Sequence, residues 1–186
     1  RNSLATTSLF QILMGEKNAD KGSFSYGQTI TTGYLPSNND EYFTSKKDLL
    51  EWLSEYSPEG MDDTDTRGFL GKMLFSGDDI KKKVNVLSGG EKVRCMLSRI
   101  MIVGANLLII DEPTNHLDLE SIQAFNNALI NFPGTVLFSS HDHTFTQTVA
   151  TRVVELTPQG SLDKMMSYDD YIESEKIQAQ VAETYK

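Results

Sequence analysis

Leu107-Leu108-Ile109-Ile110 is apolar at every position and runs directly into Asp111, Glu112 and Pro113. A strand without polar alternation is one covered on both faces, as in the middle of a parallel sheet. The run therefore places the chain in the α/β class. Asp111 and Glu112 fall at the carboxyl end of this strand, where open α/β sheets hold their ligands. A buried strand needs no acid pair at its end, so the pair reads as functional, and Pro113 stops the strand.

Upstream lies Leu87-Ser88-Gly89-Gly90-Glu91. Behind it Val93, Met96, Leu97, Ile100 and Met101 recur at helical spacing. Ser88 is a good helix cap, and the two glycines let another molecule approach the backbone closely. The unpaired amides of such a helix start favour an anion, phosphate above all. Taken alone, the tetrapeptide describes an ordinary capped surface helix equally well. Followed by the acid-ended strand, it reads as a phosphate-facing element. A second apolar run, Thr135 to Ser140, leads to His141-Asp142. A lone histidine after a strand is more often structural than catalytic.

In this order, and with the ending Pro113-Thr114-Asn115-His116-Leu117-Asp118, the motifs resemble the nucleotide-binding domain of the ATP-binding-cassette (ABC) superfamily. The ending resembles its ABC-F branch, whose members act on ribosomes and carry no membrane domain. The resemblance runs from Asn2 to about Tyr171. It implies a P-loop NTPase (RecA-like) core with a parallel sheet and an ABC helical subdomain over about 43–103. The cassette would span 1–171, with a C-terminal helical tail over 172–186. The resemblance implies that Asp111 holds Mg²⁺ through its water shell, as a Walker B aspartate does. Glu112 is then the general base on the attacking water, and His141 the switch histidine that contacts the γ-phosphate. Asn115 to Asp118 match the loop at the dimer seam, His116 included. Mg²⁺-ATP on one cassette would be capped by Ser88, Gly89, Gly90 and Glu91 of a second. His143 has no match and reads as a surface residue.

The phosphate-binding loop, G-x-x-G-x-G-K-[ST], falls on the start of the chain, and there the resemblance departs. The resemblance sets Asn2, Ser3, Leu4, Ala5, Thr6, Thr7 and Ser8 against the nucleotide, with Thr7 also on the metal, and of these Asn2, Thr7 and the helix from Ser8 to Met14 keep the pattern. Ser3 and Ala5 stand where glycines belong, and Thr6 stands where the lysine belongs. The glycines let the backbone wrap the phosphates, and the lysine is the point charge on them. Losing all three is expected to weaken ATP binding severely at this site. At Ser37 the family commonly has a glutamine that contacts Mg²⁺ and water, and serine is shorter. The strand before the phosphate loop and the adenine-stacking aromatic would lie upstream of Arg1. The chain thus looks N-terminally truncated, and resembles a second, C-terminal cassette.

At 186 residues the chain is long enough for one domain with a proper core. Its apolar runs are short, none near the length that spans a bilayer, and no charged-then-apolar leader opens it. A cytoplasmic place and no membrane partner are expected. Cys95, the single cysteine, falls inside the signature helix and reads as a buried thiol. No Cys/His set has ligand spacing, so Mg²⁺ carried with ATP is the one metal expected. A net charge of −9 argues against a self-sufficient nucleic-acid-binding domain. Lys81-Lys82-Lys83 still offers a local contact for ribosomal RNA, although a short lysine run is usually a solvated face.

Strands are expected at Thr29 to Leu35 and Val153 to Leu156. Helices are expected at Thr44 to Tyr56, from Asp62 toward Phe75 with Phe69, Leu70, Met73 and Leu74 inward, near Leu119 to Phe132, and from Tyr168 toward Tyr185 with no strong apolar stripe. Trp52 and the methionines 61, 73, 96 and 101 read as core filling. Two further functions compete with a ribosomal ATPase. One is the ATP-binding subunit of an ABC membrane transporter. The other is a nucleotide-impaired interaction module, suggested by Ser3, Ala5 and Thr6.

Overall fold

The computed structural model describes residues 3–115 and 117–185. The expected roles of Asn2 and His116 lie outside those residues. β1 (Thr32–Leu35), β2 (Leu107–Asp111) and β3 (Thr135–Ser139) form a parallel sheet in that order. The all-apolar run is its middle strand, pairing Leu107–Ile110 with β1 and Leu107–Asp111 with β3. Among the described residues the strand begins at Thr32, later than the expected Thr29, because Asn106 bonds the backbone at Thr29 and Thr31 with its side chain.

Helix α1 (Ser3–Leu13) covers one sheet face, where Phe10 packs on Tyr34 and Ile109. The other face meets helices that carry the main core. α2 (Leu49–Ser54), α3 (Asp63–Lys72) and α4 (Gly89–Ile102) build a helical unit around Trp52, Leu53, Leu70 and Met96. Alternation along β2 explains the split, with Leu108 and Ile110 facing the main core and Leu107 and Ile109 facing α1. Close packing of α4 on β1 needs Gly33, since a Cβ there would lie 2.5 Å from Ile100 Cγ2.

The helix expected from Thr44 begins instead at Leu49. Asp48 caps it, accepting from the Glu51 amide at 2.9 Å while Glu51 accepts from the Asp48 amide at 2.9 Å. Leu74 is not inward as expected. α3 ends at Lys72, and Leu74 takes φ 62° with 39 % of its surface exposed, which swings the chain away from the core. Met61 is also exposed, while Met73 and Met96 fill the core.

α5 (Leu119–Ile130) and α6 (His143–Val149) meet through stacked Phe125 and Phe145, whose ring centroids lie 5.4 Å apart. Beyond them β4 (Val153–Thr157) pairs antiparallel with β5 (Gly160–Lys164), a hairpin of which only the first strand was expected. The C-terminal helix divides at Ser174 into α7 (Tyr168–Glu173) and α8 (Glu175–Thr184). It does bury a short stripe. Tyr171, Ile177 and Val181 pack with Val153 and Leu162 as a cluster of their own.

Candidate functional site

Three parallel strands bring their carboxyl ends to one edge, and there Asp111 and Glu112 of β2 and its turn, Ser139 and His141 of β3 and its loop, and Thr7 of α1 form one hydrogen-bonded group. Asp111 is buried, 1 % exposed. Thr7 Oγ1 of α1 donates to its Oδ2 at 2.6 Å, and Ser139 Oγ of β3 donates to its Oδ1 at 2.6 Å. A buried carboxylate is tolerated only when its oxygens are satisfied, and here each receives a short hydroxyl bond. The strand register sets Ser139 directly across from Asp111.

Glu112 follows with φ 50°, a left-handed conformation that a non-glycine residue adopts at a cost of roughly 1 kcal/mol or more. The turn is held by its amide, which donates to Ser139 O at 3.1 Å and to Ser139 Oγ at 3.2 Å. Its side chain, 8 % exposed, reaches the next strand end. There the His141 amide donates to Glu112 Oε2 at 3.2 Å, and His141 Nε2 lies 3.4 Å from Oε1. The imidazole itself is mostly exposed, at 66 %. Thr114 and Ser140 share a hydroxyl contact at 3.3 Å, which ties the two loops together.

Thr7 and Ser37 line one cleft of about 600 Å³ with Gln11, Tyr34, Glu16 and Asp40. Burial, followed by the nearby Glu16 and Asp111 carboxylates, pushes the Tyr34 phenol up to about 12. Ser3, Leu4, Ala5, Thr6 and Ser8 all lie within α1. The residues that replace the two glycines and the lysine are therefore helical, and Leu4 is 77 % exposed.

The signature residues have a separate hydrogen-bonded network. Ser88 caps α4 in a reciprocal box with Glu91, the Ser88 amide donating to Glu91 Oε2 at 2.8 Å. Lys82 Nζ donates to Glu91 Oε1 at 2.8 Å and pairs with Asp79 at 2.9 Å. Burial alone would raise the Glu91 carboxyl, but the Lys82 ammonium and the Ser88 amide outweigh it and hold the group below the usual range. Asp118 caps α5, accepting from the Ser121 amide at 2.8 Å, and Ser121 holds its carboxyl low. His143 lies 3.5 Å from Asp169 and edge-on to Tyr168, a partnered surface residue. Burial pushes the Cys95 thiol well up, which makes it inert.

Sequence reading missed Ser139 and Gln11. Ser139 carried a signal, because a hydroxyl closes the apolar run Val136-Leu137-Phe138 opposite the acid-ended strand. Among the described residues no three His, Cys, Asp or Glu side chains converge as a metal set. Thr7 and Asp111 instead offer two hard oxygen donors beside an acid-lined cleft, a set suited to Mg²⁺ that arrives with phosphate oxygens. No helix of the described residues is long and apolar enough to cross a membrane.

The chain is 56 % identical over 186 residues to the uncharacterized ABC transporter ATP-binding protein YkpA of Bacillus subtilis (strain 168), covering all of this chain and 34 % of that protein. It is 40 % identical over 177 residues to the probable ATP-binding protein YbiT of Escherichia coli O157:H7, covering 95 % and 33 %. To the energy-dependent translational throttle protein EttA of Escherichia coli (strain K12) it is 32 % identical over 177 residues, covering 91 % and 32 %. The chain thus spans about a third of the length of these relatives. In fold it is similar to a solved structure of RNase-L Inhibitor, with a TM-score of 0.74 at 23 % identity, covering 97 % of this chain and 35 % of that one. Residues 6–115, which hold Thr7, the signature motif and the Asp111–Glu112 pair, match the family described as ABC transporter, and the chain belongs to that family of ATP-binding cassettes.

Proposed function

We propose that this chain is the ATP-hydrolysing cassette of an ABC-F protein, which clamps Mg²⁺-ATP against a second cassette and acts on the ribosome. The observation that carries the hydrolytic part is the bonded group Thr7–Asp111–Ser139 with Glu112 and His141 beside it. Thr7 and Asp111 would hold Mg²⁺, which neutralises the phosphate charge when bound. Glu112 orients and polarises the attacking water, and its tie to His141 sets both groups toward the γ-phosphate. Ser88, Gly89, Gly90 and Glu91 cap the nucleotide held by the second cassette, the Ser88 hydroxyl and the α4 amides facing its phosphates. Closure excludes water and aligns the reactants, so catalysis is by positioning and electrostatics. The likeness to the translational throttle protein and the Asn115–Asp118 ending support the ribosomal role, which would place the chain in the cytoplasm.

A second reading has an observation of its own. Ser3, Ala5 and Thr6 lie in helix α1, so a backbone loop around the phosphates is not formed there. On that reading the chain binds nucleotide weakly and serves mainly to complete the partner cassette's site through Ser88–Glu91. A membrane-transporter subunit, the remaining alternative, would co-purify with a membrane protein. Glu112→Gln separates the hydrolysing readings from the nucleotide-impaired one. It is expected to keep ATP binding while turnover stops and the two cassettes stay closed on ATP. Unchanged turnover would refute Glu112 as the base.

A further inference from the structure

Gln11 lines the same cleft as Thr7 and Ser37. It lies one turn after Thr7 on α1, on the same helix face, and helical side chains lean back toward the N-terminus. Gln11 and Thr7 therefore face the same cleft from successive turns of α1. Its Oε1 is buried and has no hydrogen-bond partner among the described residues. A buried amide oxygen without a donor is costly, on the order of 1–3 kcal/mol, and such groups are rare unless a ligand or water completes them. In the same cleft Ser37 stands where related cassettes carry a glutamine, with a side chain too short to replace its reach.

We propose that Gln11 supplies the amide oxygen that Ser37 does not, accepting a hydrogen bond from the water shell of the metal that arrives with ATP. This rests on the Mg²⁺-ATP reading above. Mg²⁺ retains several of its waters, and each polarised water needs an acceptor pointing at it. Gln11 Oε1 meets that need from the α1 side of the cleft, and the carboxylate of Glu16 adds an acceptor from its rim, while Asp40 is held by Lys92 at 2.6 Å. The amide is uncharged, so it orders the water shell without adding to the negative charge that already faces the nucleotide. Gln11 is thus a positioning residue, acting on the metal through water.

The test titrates Mn²⁺ with a non-hydrolysable ATP analogue into the protein, Gln11→Ala and Gln11→Glu, and reads bound Mn²⁺ by electron paramagnetic resonance. Loss of an outer-shell partner typically weakens metal affinity 10–100-fold, and a single neutral acceptor sits at about the tenfold end. Gln11→Ala is expected to weaken Mn²⁺ binding about tenfold without lowering the melting temperature of the metal-free protein, since it removes a buried acceptor that has no donor there. Gln11→Glu, which keeps an acceptor oxygen at the same reach and adds a charge that attracts the cation, is expected to bind Mn²⁺ at least as tightly as the unsubstituted protein, and an affinity as low as that of Gln11→Ala would overturn the inference. Equal Mn²⁺ affinity in the protein and in Gln11→Ala would overturn this inference alone. Absence of Mn²⁺-nucleotide binding both in the unsubstituted protein and in a form carrying Ser3→Gly, Ala5→Gly and Thr6→Lys would overturn the ATP reading and this inference with it.

Discussion

Ser139→Ala removes one of the two hydroxyls that donate to the buried Asp111 carboxylate, the bond to Oδ1 at 2.6 Å. A hydrogen bond to a charged group contributes about 1.5–3 kcal/mol, and the vacated oxygen has no route to bulk water at 1 % exposure. The Glu112 amide loses a second acceptor in the same step, but it keeps the Ser139 carbonyl at 3.1 Å, so that loss adds little. The expected cost is about 2 kcal/mol, roughly a 30-fold drop in the folding equilibrium. For a chain of this length that corresponds to a fall of about 4–8 °C in melting temperature. Urea unfolding followed by circular dichroism measures it directly. A double-mutant cycle with Asp111→Asn then isolates the charge, because the same truncation beside a neutral amide should cost only about 1 kcal/mol. If Ser139→Ala lies within about 0.5 kcal/mol of the parent, or costs the same in both backgrounds, the reasoning fails.

Other expectations test separate parts of the structure. Tyr34 is held protonated, its phenol moved from 10.0 up to about 12, so the folded state keeps a proton that the unfolded chain releases above pH 10. Its contribution is therefore complete below pH 10 and is lost as the pH rises from 10 toward 12. Tyr34→Phe should lose that part of the alkaline decline, which parallel denaturation curves at pH 9 and 11.5 would reveal, and an identical decline in both proteins would contradict the assignment. Gly134 precedes β3 at a point where a Cβ would stand 2.2 Å from the Asn106 carbonyl oxygen, which is fixed by its bond from the Thr135 amide. Gly134→Ala should destabilise by about 3 kcal/mol in urea unfolding, and a neutral effect would show that the loop relaxes freely.

The middle strand, the signature helix and the histidine strand were legible because apolar runs and helical spacing report burial directly. Asp111 and Glu112 stood out because acids at the end of such a strand have no packing role. What pattern could not show was how they are held. The left-handed turn at Glu112 comes from two bonds to Ser139, a contact between residues far apart in sequence. Leu74 misled for a related reason, since spacing places it inward while α3 ends two residues earlier. The hairpin's second strand, Gly160–Lys164, alternates too weakly to announce itself, and its anchor in the interior is Leu162, which packs on the small C-terminal cluster. Ser174 divides the last helix by capping α8 through the Ile177 amide, a local competition that apolar periodicity does not register.

Binding of Mg²⁺-ATP tests the central claim most directly, that Thr7 and Asp111 form the metal side of a nucleotide site whose phosphate loop is weakened. Calorimetry would compare the protein with a form carrying Ser3→Gly, Ala5→Gly and Thr6→Lys, and with that form carrying Asp111→Asn as well. The restored lysine and glycines should tighten Mg²⁺-ATP binding at least about tenfold, more than about 1.4 kcal/mol, and Asp111→Asn should remove most of the gain. Failure of the restored form to bind, or a gain untouched by Asp111→Asn, would contradict the account.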